Sequence, residues 1–192
     1  MERGRVRRNI VLFVVAAALT ACGRTIVDYA PPARPPALNA NAVPHASSDF
    51  TRLNADRVTS GALEANRLSA LLASAKYVAG TERIFVSTSS PIDRVSTRVL
   101  QFASTGGAAA YTRWVGAHPA DLIGDAEPSG SLDLEGASSV YVHAPNGCCA
   151  KDIPKSLAVW QRDRYVLEVI ASGAYAKDKM LTELSTEMDR LV

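Results

Sequence analysis

The stretch "LAVWQRDRYVLEVI", residues 157–170, contains two apolar runs separated by a short polar segment. β-branched and aromatic residues favour strands, and a polar break of a few residues between two such runs is typical of a β-hairpin. With a three-residue turn at 162–164, apolar residues would pair on both faces: Val159 with Leu167 and Leu157 with Val169 on one face, and Trp160 with Val166 on the other. We therefore predict an antiparallel hairpin with one core face and one partly covered face.

The segments on either side of this hairpin show helical periodicity. "DKMLTELSTEMDRLV", at the end of the chain, places apolar residues on one helical stripe, which predicts an amphipathic helix that packs on the sheet. The residues of this stripe are Met180, Leu181, Leu184, Met188 and Leu191. Near the start of the domain, "SGALEANRLSALLASAKYV" predicts a first helix capped by Ser60. Its stripe consists of Leu63, Leu68, Leu71, Leu72 and Ala75.

Further strands and one more helix lie between these helices. "RIFVS" and "STRVLQFAS" predict two strands, and "GGAAAYTRWVGAH" predicts a short helix that ends near Gly116, before Pro119. "GSLDLEG", with Leu132 and Leu134 alternating with acids, and "SSVYVHAP" predict two more strands. Strands grouped between helices indicate a single α+β domain over residues 51–192, with a mostly antiparallel sheet packed by two or three helices. We expect the helices to cover one face of that sheet.

The start of the chain has the layout of a secretory signal peptide. Arginines at positions 3, 5, 7 and 8 precede a short apolar core, residues 10–18, that ends in small residues. The apolar run is too short for a helix that crosses a membrane, which needs about 20 apolar residues. We predict that residues 1–21 are a signal peptide.

Leu19-Thr20-Ala21-Cys22 matches the lipobox of bacterial lipoproteins, and the first two dozen residues resemble that class. The resemblance implies cleavage before Cys22, transfer of a diacylglycerol group to its thiol and acylation of the new N-terminus. Two or three acyl chains anchor a domain stably, whereas one chain gives only marginal binding. Gly23 then implies an outer-membrane destination if the cell has two membranes. The alternative is an ordinary signal peptide cut after Ala21, with Cys22 as a free thiol.

Charge argues against one class of partner. Removing residues 1–21, which carry four arginines and one glutamate, lowers the formal net charge from +2 to −1. The rest of the chain has no run of lysines and arginines that would neutralise phosphates, so we exclude nucleic-acid binding. We expect contact with a membrane through the N-terminal lipid, and an envelope protein is a candidate partner.

Residues 29–50, "YAPPARPPALNANAVPHASSDF", are rich in proline and lack apolar periodicity. Such a segment buries too little apolar surface to offset the entropy of ordering it. We therefore predict that residues 22–50 form a lipidated N-terminus and a Pro/Ala-rich tether that leads to the domain. The alternative is a segment that packs along the domain surface.

Cys148 and Cys149 are the two cysteines left once Cys22 is assigned to lipid. An exported protein meets an oxidising environment, which favours disulfides. Neighbouring Cα atoms lie about 3.8 Å apart, whereas ordinary disulfides prefer roughly 4.4–6.8 Å, so a vicinal disulfide would be strained and easily reduced. Three arrangements stay open: a vicinal disulfide, two unpaired thiols, or cross-links to another chain.

His143 lies near these cysteines in the sequence, which raises the question of a metal-binding site. His143, Cys148, Cys149 and Asp152 form a candidate ligand set. Zinc sites commonly separate paired cysteines by two or more residues, so we predict no metal site and no cofactor. His118, near the end of the predicted second helix, is interpreted as structural.

Two tryptophans and a search for catalytic motifs complete the sequence evidence. Trp114 and Trp160 are interpreted as packing residues rather than ligand platforms. The chain has no HExxH, GxGxxG, phosphate-loop or GxSxG pattern, so we predict no catalytic residue. We expect a lipid-anchored, extracytoplasmic binding or assembly module of the cell envelope. The alternative is an envelope enzyme or thiol-redox protein that uses the Cys148-Cys149 loop.

Overall fold

The computed structural model describes residues 34–134, 136–145 and 152–192 of the chain. The predicted signal peptide, Cys22, Cys148 and Cys149 lie outside the described residues. The strands are β1 (Ala46–Leu53), β2 (Tyr77–Ser87), β3 (Arg94–Phe102), β4 (Glu127–Gly130), β5 (Ser138–His143), β6 (Lys155–Arg162) and β7 (Tyr165–Ser172). The α-helices are α1 (Ala55–Thr59), α2 (Ala65–Ser74), α3 (Thr105–Ala117), α4 (Ala120–Ile123) and α5 (Asp178–Asp189).

The strands form one antiparallel sheet in the order β1-β2-β3-β7-β6-β5-β4. Helices α2, α3 and α5 are the long ones, with 10, 13 and 12 residues. The prediction of a single α+β domain with an antiparallel sheet and two or three helices is therefore confirmed. The two ends of the sheet are the edge strands β1 and β4.

The predicted hairpin is present as β6 and β7, but its register was wrong by one residue. Arg162 pairs with Tyr165, so the turn has two residues, Asp163 and Arg164. Asp163 adopts a φ of 47°, a left-handed conformation that Asp tolerates better than most residues and that tight hairpin turns require. The tighter turn changes the cross-strand pairs: Trp160 lies opposite Leu167, and Val159 lies opposite Glu168.

The sheet is covered on both faces, which corrects the expectation of one covered face. Helix α5 covers one face, where its Leu181, Leu184 and Met188 pack with Trp160 and Leu167 of the hairpin. Helices α1 to α4 cover the other face, and the buried residues there are Val58, Leu68, Leu72, Tyr111, Val115 and Ile123. Each fully buried aliphatic side chain contributes about 1.5–3 kcal/mol, so the two cores together stabilise the sheet.

The helices differ from prediction in their boundaries. The first predicted helix begins later than expected, at Ala65, and the positive φ of 85° at Gly61 is incompatible with a helix that starts at Ser60. Ser60 does not cap this helix but ends the preceding short helix α1, which was not predicted. Leu63 is consequently 79% exposed instead of lying on the buried stripe, whereas Leu68 and Leu72 are buried as expected. The second predicted helix, α3, begins at the Ser104 cap and is longer than expected. The C-terminal helix is confirmed.

The prediction of a strand at 132–134 was wrong, because β4 lies earlier, at Glu127–Gly130. The Ser138 hydroxyl donates to the Leu132 carbonyl oxygen and accepts from the Leu132 amide, so a side chain satisfies the backbone of that residue. Leu134 is only partly buried, against the α5 face.

The folded part of the chain begins before the predicted boundary at residue 51. Leu38 and Val43 are 1% and 2% exposed in the α5-face core, and β1 already begins at Ala46. The tether interpretation was therefore wrong for residues 34–50, while residues 22–33 lie outside the described residues. Two isolated apolar side chains among prolines give no periodic signal, although each buries fully once the sheet supplies a surface.

Candidate functional site

The first candidate site, which we call the β1 groove, lies at one edge of the sheet. It has a volume of about 500 Å³. Its walls come from three separate segments: residues 34–37 before the sheet, residues 50–54 at the end of β1, and residues 78–81 at the start of β2. A concave site of this size falls in the range of ligand pockets, which are commonly about 300–1,000 Å³.

The β1 groove exposes apolar side chains. Phe50 is 43% exposed and Val78 is 52% exposed, and both line the groove. Arg83 stacks over the Phe50 ring, with 5.3 Å between the guanidinium carbon and the ring centroid, which holds the ring in place. Exposed apolar side chains gathered in one concave place are typical of a binding surface.

The β1 groove is also basic. Arg34 and Arg52 both line it, and none of the described residues that line it is acidic. Across residues 34–134, 136–145 and 152–192, neither arginine forms an ion pair. Two guanidinium groups that lack a protein counter-charge make this groove attractive to an anion.

Local contacts explain how the sequence builds this groove. The Thr81 hydroxyl donates a hydrogen bond of 2.5 Å to the Pro36 carbonyl oxygen, which fastens the N-terminal segment to β2. The Tyr77 hydroxyl donates to the Leu53 carbonyl oxygen at 2.8 Å and so joins the ends of β1 and β2. Gly80 is required between them, because a side chain there would meet the Tyr77 hydroxyl and the Leu100 side chain.

The second candidate site, which we call the His143 cleft, lies at the other edge of the sheet. It has a volume of about 520 Å³ and is lined by residues that include Asp125, Glu127 and His143. His143 ends β5, and its two ring nitrogens contact two different segments. Nδ1 lies 2.6 Å from the Asp125 carbonyl oxygen, and Nε2 lies 2.6 Å from Oδ1 of Asp152.

This geometry favours a charged imidazole ring. A carbonyl oxygen and a carboxylate both accept hydrogen bonds, so both ring nitrogens of His143 are best satisfied when both carry a proton. The hydrogen bond with Asp152 and the one with the Asp125 carbonyl raise the pKa of His143 above its usual value. His143 and Asp152 lie on either side of Cys148 and Cys149 in the sequence, so their hydrogen bond joins the two ends of that segment.

The fold brings together two of the four residues of the candidate metal-ligand set. His143 and Asp152 are adjacent, while Cys148 and Cys149 lie outside the described residues. Among the described residues there is no cluster of three or more His, Cys, Asp or Glu side chains that would hold a metal ion. Because Asp152 already accepts a hydrogen bond from His143, what these two residues form is a hydrogen-bonded ion pair.

A third polar feature, a charged row inside the domain, was missed by sequence reasoning. Glu82, Arg98 and Glu168 lie directly opposite one another on β2, β3 and β7. Nε of Arg98 lies 2.9 Å from Glu82, and a terminal guanidinium nitrogen lies 3.7 Å from Glu168. The Tyr111 hydroxyl, from α3, donates to Glu168 at 2.9 Å, and the Ser96 hydroxyl donates to Glu82 at 2.6 Å.

The two carboxylates of this row have opposite pKa shifts. Burial raises the pKa of Glu168, which is 0% exposed, and the nearby Arg98 and Tyr111 offset that effect only in part. Burial also raises the pKa of Glu82, but Arg98 and Ser96 outweigh it, so its pKa falls below the usual value. The surroundings thus stabilise the ionised form of Glu82, whereas burial disfavours the ionised form of Glu168.

The remaining candidate residues are structural. Trp160 is 1% exposed in the core and donates its ring N–H to Asp189 at 2.9 Å. Trp114 is partly buried and stacks on His118, with 4.9 Å between ring centroids. Nδ1 of His118 lies 2.9 Å from the Trp114 carbonyl oxygen at the end of α3, as the structural interpretation predicts. Within the described part of the chain, no helix is long and apolar enough to cross a membrane.

Comparison with known proteins gives little identification. No protein-family model matches the chain, and no curated protein matches it. One solved structure that resembles it is the extracellular domain of PknH from Mycobacterium tuberculosis, with 14% sequence identity and a TM-score of 0.48. The match covers 76% of this chain and 78% of that one. A likeness of this size identifies no family.

Proposed function

We propose that this protein is a lipid-anchored, extracytoplasmic binding or assembly module of a bacterial cell envelope. The observation that carries the binding role is the β1 groove, which combines exposed Phe50 and Val78 with Arg34 and Arg52, two arginines that form no ion pair with any other described residue. Apolar side chains gathered with cationic groups in one solvent-exposed concavity are typical of ligand and partner sites, which supports a binding role. The anchor is supported by the signal-peptide layout and by the lipobox that ends at Cys22.

The anchor has a direct test in the mass of the protein extracted from membranes with detergent. We expect the N-terminal peptide to begin at Cys22 and to carry a diacylglycerol adduct and an amide-linked acyl chain. Cys22→Ala should give an uncleaved or soluble product. A cleaved Cys22→Ala product that still requires detergent for its release, or a wild-type peptide that begins at Cys22 without lipid, would refute the lipid anchor.

The binding role is tested on the envelope itself. Chemical cross-linking of intact cells should join the wild-type protein to a defined partner or ligand, and Phe50→Ser should abolish that adduct. Ile92→Ser is the matched control, because Ile92 is 53% exposed but lies outside the residues that line the β1 groove. Equal adducts in both variants would refute the assignment of binding to this groove.

The alternative, an envelope enzyme or thiol-redox protein, rests on the His143 cleft. His143 and Asp152 flank in sequence the segment with Cys148 and Cys149, and an imidazolium would stabilise a nearby thiolate. Alkylation without reductant, followed by peptide mass, reports whether these two thiols are oxidised. In the reduced protein, His143→Ala should shift the pH dependence of thiol alkylation upward if this alternative holds. An unchanged profile would leave the binding module as the proposal.

A further inference from the structure

We propose that the β1 groove binds a single anionic phospholipid molecule, with its phosphate on the two arginines and the start of its acyl chains on the exposed apolar side chains. The inference deepens the proposed function and rests on it, because a lipid-anchored domain works beside a membrane. It assigns a ligand class to a site whose ligand the proposed function leaves open.

The first argument is charge. Arg34 comes from the segment before the sheet and Arg52 from β1, so two separate parts of the chain bring guanidinium groups to one groove. Guanidinium groups bind phosphate through paired hydrogen bonds. The described lining contains no acidic residue that would compete with a phosphate for these two groups.

The second argument separates a lipid from a free phosphate ion. A phosphate ion needs polar donors on several sides, but most of this groove is apolar, with Pro35, Ala37, Leu53 and Ala79 beside Phe50 and Val78. Those side chains gain from contact with methylene groups, each of which contributes about 0.8 kcal/mol when buried. A molecule that carries an anionic head on an apolar body satisfies both halves of the lining.

The third argument is the length of chain between the anchor and the groove. Arg34 is twelve residues after Cys22. A fully extended chain spans at most about 3.6 Å per residue, so the groove can be no farther than about 43 Å along the chain from the anchored residue. This short connection allows the groove to meet the lipids of the anchoring membrane.

The test uses the chain from position 22 onward with Cys22→Ser, which removes the protein's own lipid. The probe is dihexanoyl phosphatidylglycerol, a short-chain anionic lipid used below its micelle concentration, and binding is measured by calorimetry. Dihexanoyl phosphatidylcholine and inorganic phosphate are the comparison ligands. We expect the anionic lipid to bind at least about tenfold more tightly than either one, since inorganic phosphate has no acyl chains and the choline cation cancels the net negative charge that the two arginines attract.

Variants locate the site. Arg52→Gln should weaken binding of the anionic lipid about tenfold, and Val78→Ser should weaken it by a smaller factor. Arg67→Gln and Ile92→Ser are matched controls, because Arg67 and Ile92 are exposed and lie outside the groove. Unchanged melting temperatures would show that each variant is folded.

Several outcomes would overturn the proposal. Equal binding of inorganic phosphate would make the site an anion site, and equal binding of the choline lipid would show that the net negative charge of the headgroup is not recognised. Absence of binding, or equal effects of the groove variants and the controls, would leave an envelope protein as the occupant. None of these results depends on Cys22, so failure here is distinguishable from failure of the lipid anchor, which the mass of the N-terminal peptide reports.

Discussion

Arg98→Met should leave the buried carboxylate of Glu168 without a cation beside it and so destabilise the domain in a strongly pH-dependent way. Arg98 is the cation that faces Glu168, whose side chain is fully buried. Without it, ionised Glu168 would have only the Tyr111 hydroxyl as a partner at 2.9 Å. Removing one partner of a buried pair typically destabilises a protein by about 3–5 kcal/mol.

Glu168 can take up a proton in Arg98→Met, and this sets an upper limit on the loss of stability that its buried charge causes. The ordinary pKa of Glu168 is 4.5, and each pH unit above that value adds at most about 1.4 kcal/mol before the group takes up a proton. The limit is therefore about 4 kcal/mol at pH 7.5 and about 0.7 kcal/mol at pH 5.0. Because Tyr111 still donates to Glu168, we expect about 2–3 kcal/mol at pH 7.5.

The assay isolates this part with the double variant Arg98→Met, Glu168→Gln, in which a neutral amide replaces the carboxylate. Urea denaturation should show that Glu168→Gln restores about 2–3 kcal/mol to Arg98→Met at pH 7.5 and less than about 0.7 kcal/mol at pH 5.0. Arg67→Met is the control, because Arg67 forms an exposed ion pair with Glu64 that contributes at most about 1 kcal/mol. An equal restoration at both pH values would refute the assignment of the loss to ionised Glu168.

Three further predictions concern packing and the His143 pair. Gly107→Ala should destabilise the domain by roughly 1–3 kcal/mol, because the added methyl group would overlap a main-chain oxygen at the end of α2. The control is Gly106→Ala, where the nearest atom to the added methyl group would be the Ser104 hydroxyl at an ordinary contact distance of 3.9 Å. It should be neutral or stabilising by up to about 1 kcal/mol in the same urea denaturation. Leu184→Ala should destabilise by about 2–5 kcal/mol in a thermal melt, because Leu184 is 2% exposed in the α5 core, and a loss below 1 kcal/mol would contradict that packing. Asp152→Asn should lower the pKa of His143 in an NMR titration. The pKa of His143 is raised above 6.5 in the folded protein, so the pair should stabilise the fold fully below pH 6.5 and lose this effect as the pH rises through the pKa of the folded state. A pKa of His143 that Asp152→Asn leaves unchanged would contradict the contact.

The hairpin shows how far sequence reasoning reaches in this fold. Two apolar runs around a polar break were sufficient to predict β6 and β7, because strand propensity and patterning act locally. The register was not predictable in the same way, since it depends on whether Asp163 adopts a positive φ. In the folded protein the Thr105 hydroxyl donates to the Asp163 side chain at 2.7 Å, a contact between residues 58 positions apart. Local patterns carry no information about such a contact.

The candidate site was less predictable than the fold, for the same physical reason. The β1 groove joins Arg34, Phe50 and Val78, which belong to three segments that meet only after the sheet has formed. The first two lie in a proline-rich stretch whose composition is typical of a tether, so no local signal marked them. His143 and Asp152, by contrast, are nine residues apart, and the sequence analysis considered them together only as part of a metal-ligand set that it rejected, not as the hydrogen-bonded pair they form.

The charged row and the β1 groove are connected through the alternation of side chains along β2. Thr81 holds the N-terminal segment that forms one wall of the groove, and its neighbour Glu82 points to the opposite face, where it pairs with Arg98. A one-residue slip of β2 would move Glu82 to the groove side and place a carboxylate beside Arg34 and Arg52. The pairing of Glu82 with Arg98 opposes that slip, because a slipped β2 would no longer place the Glu82 carboxylate opposite Arg98. The polar row thus helps to fix the register of β2 that keeps a carboxylate out of the groove and the groove basic.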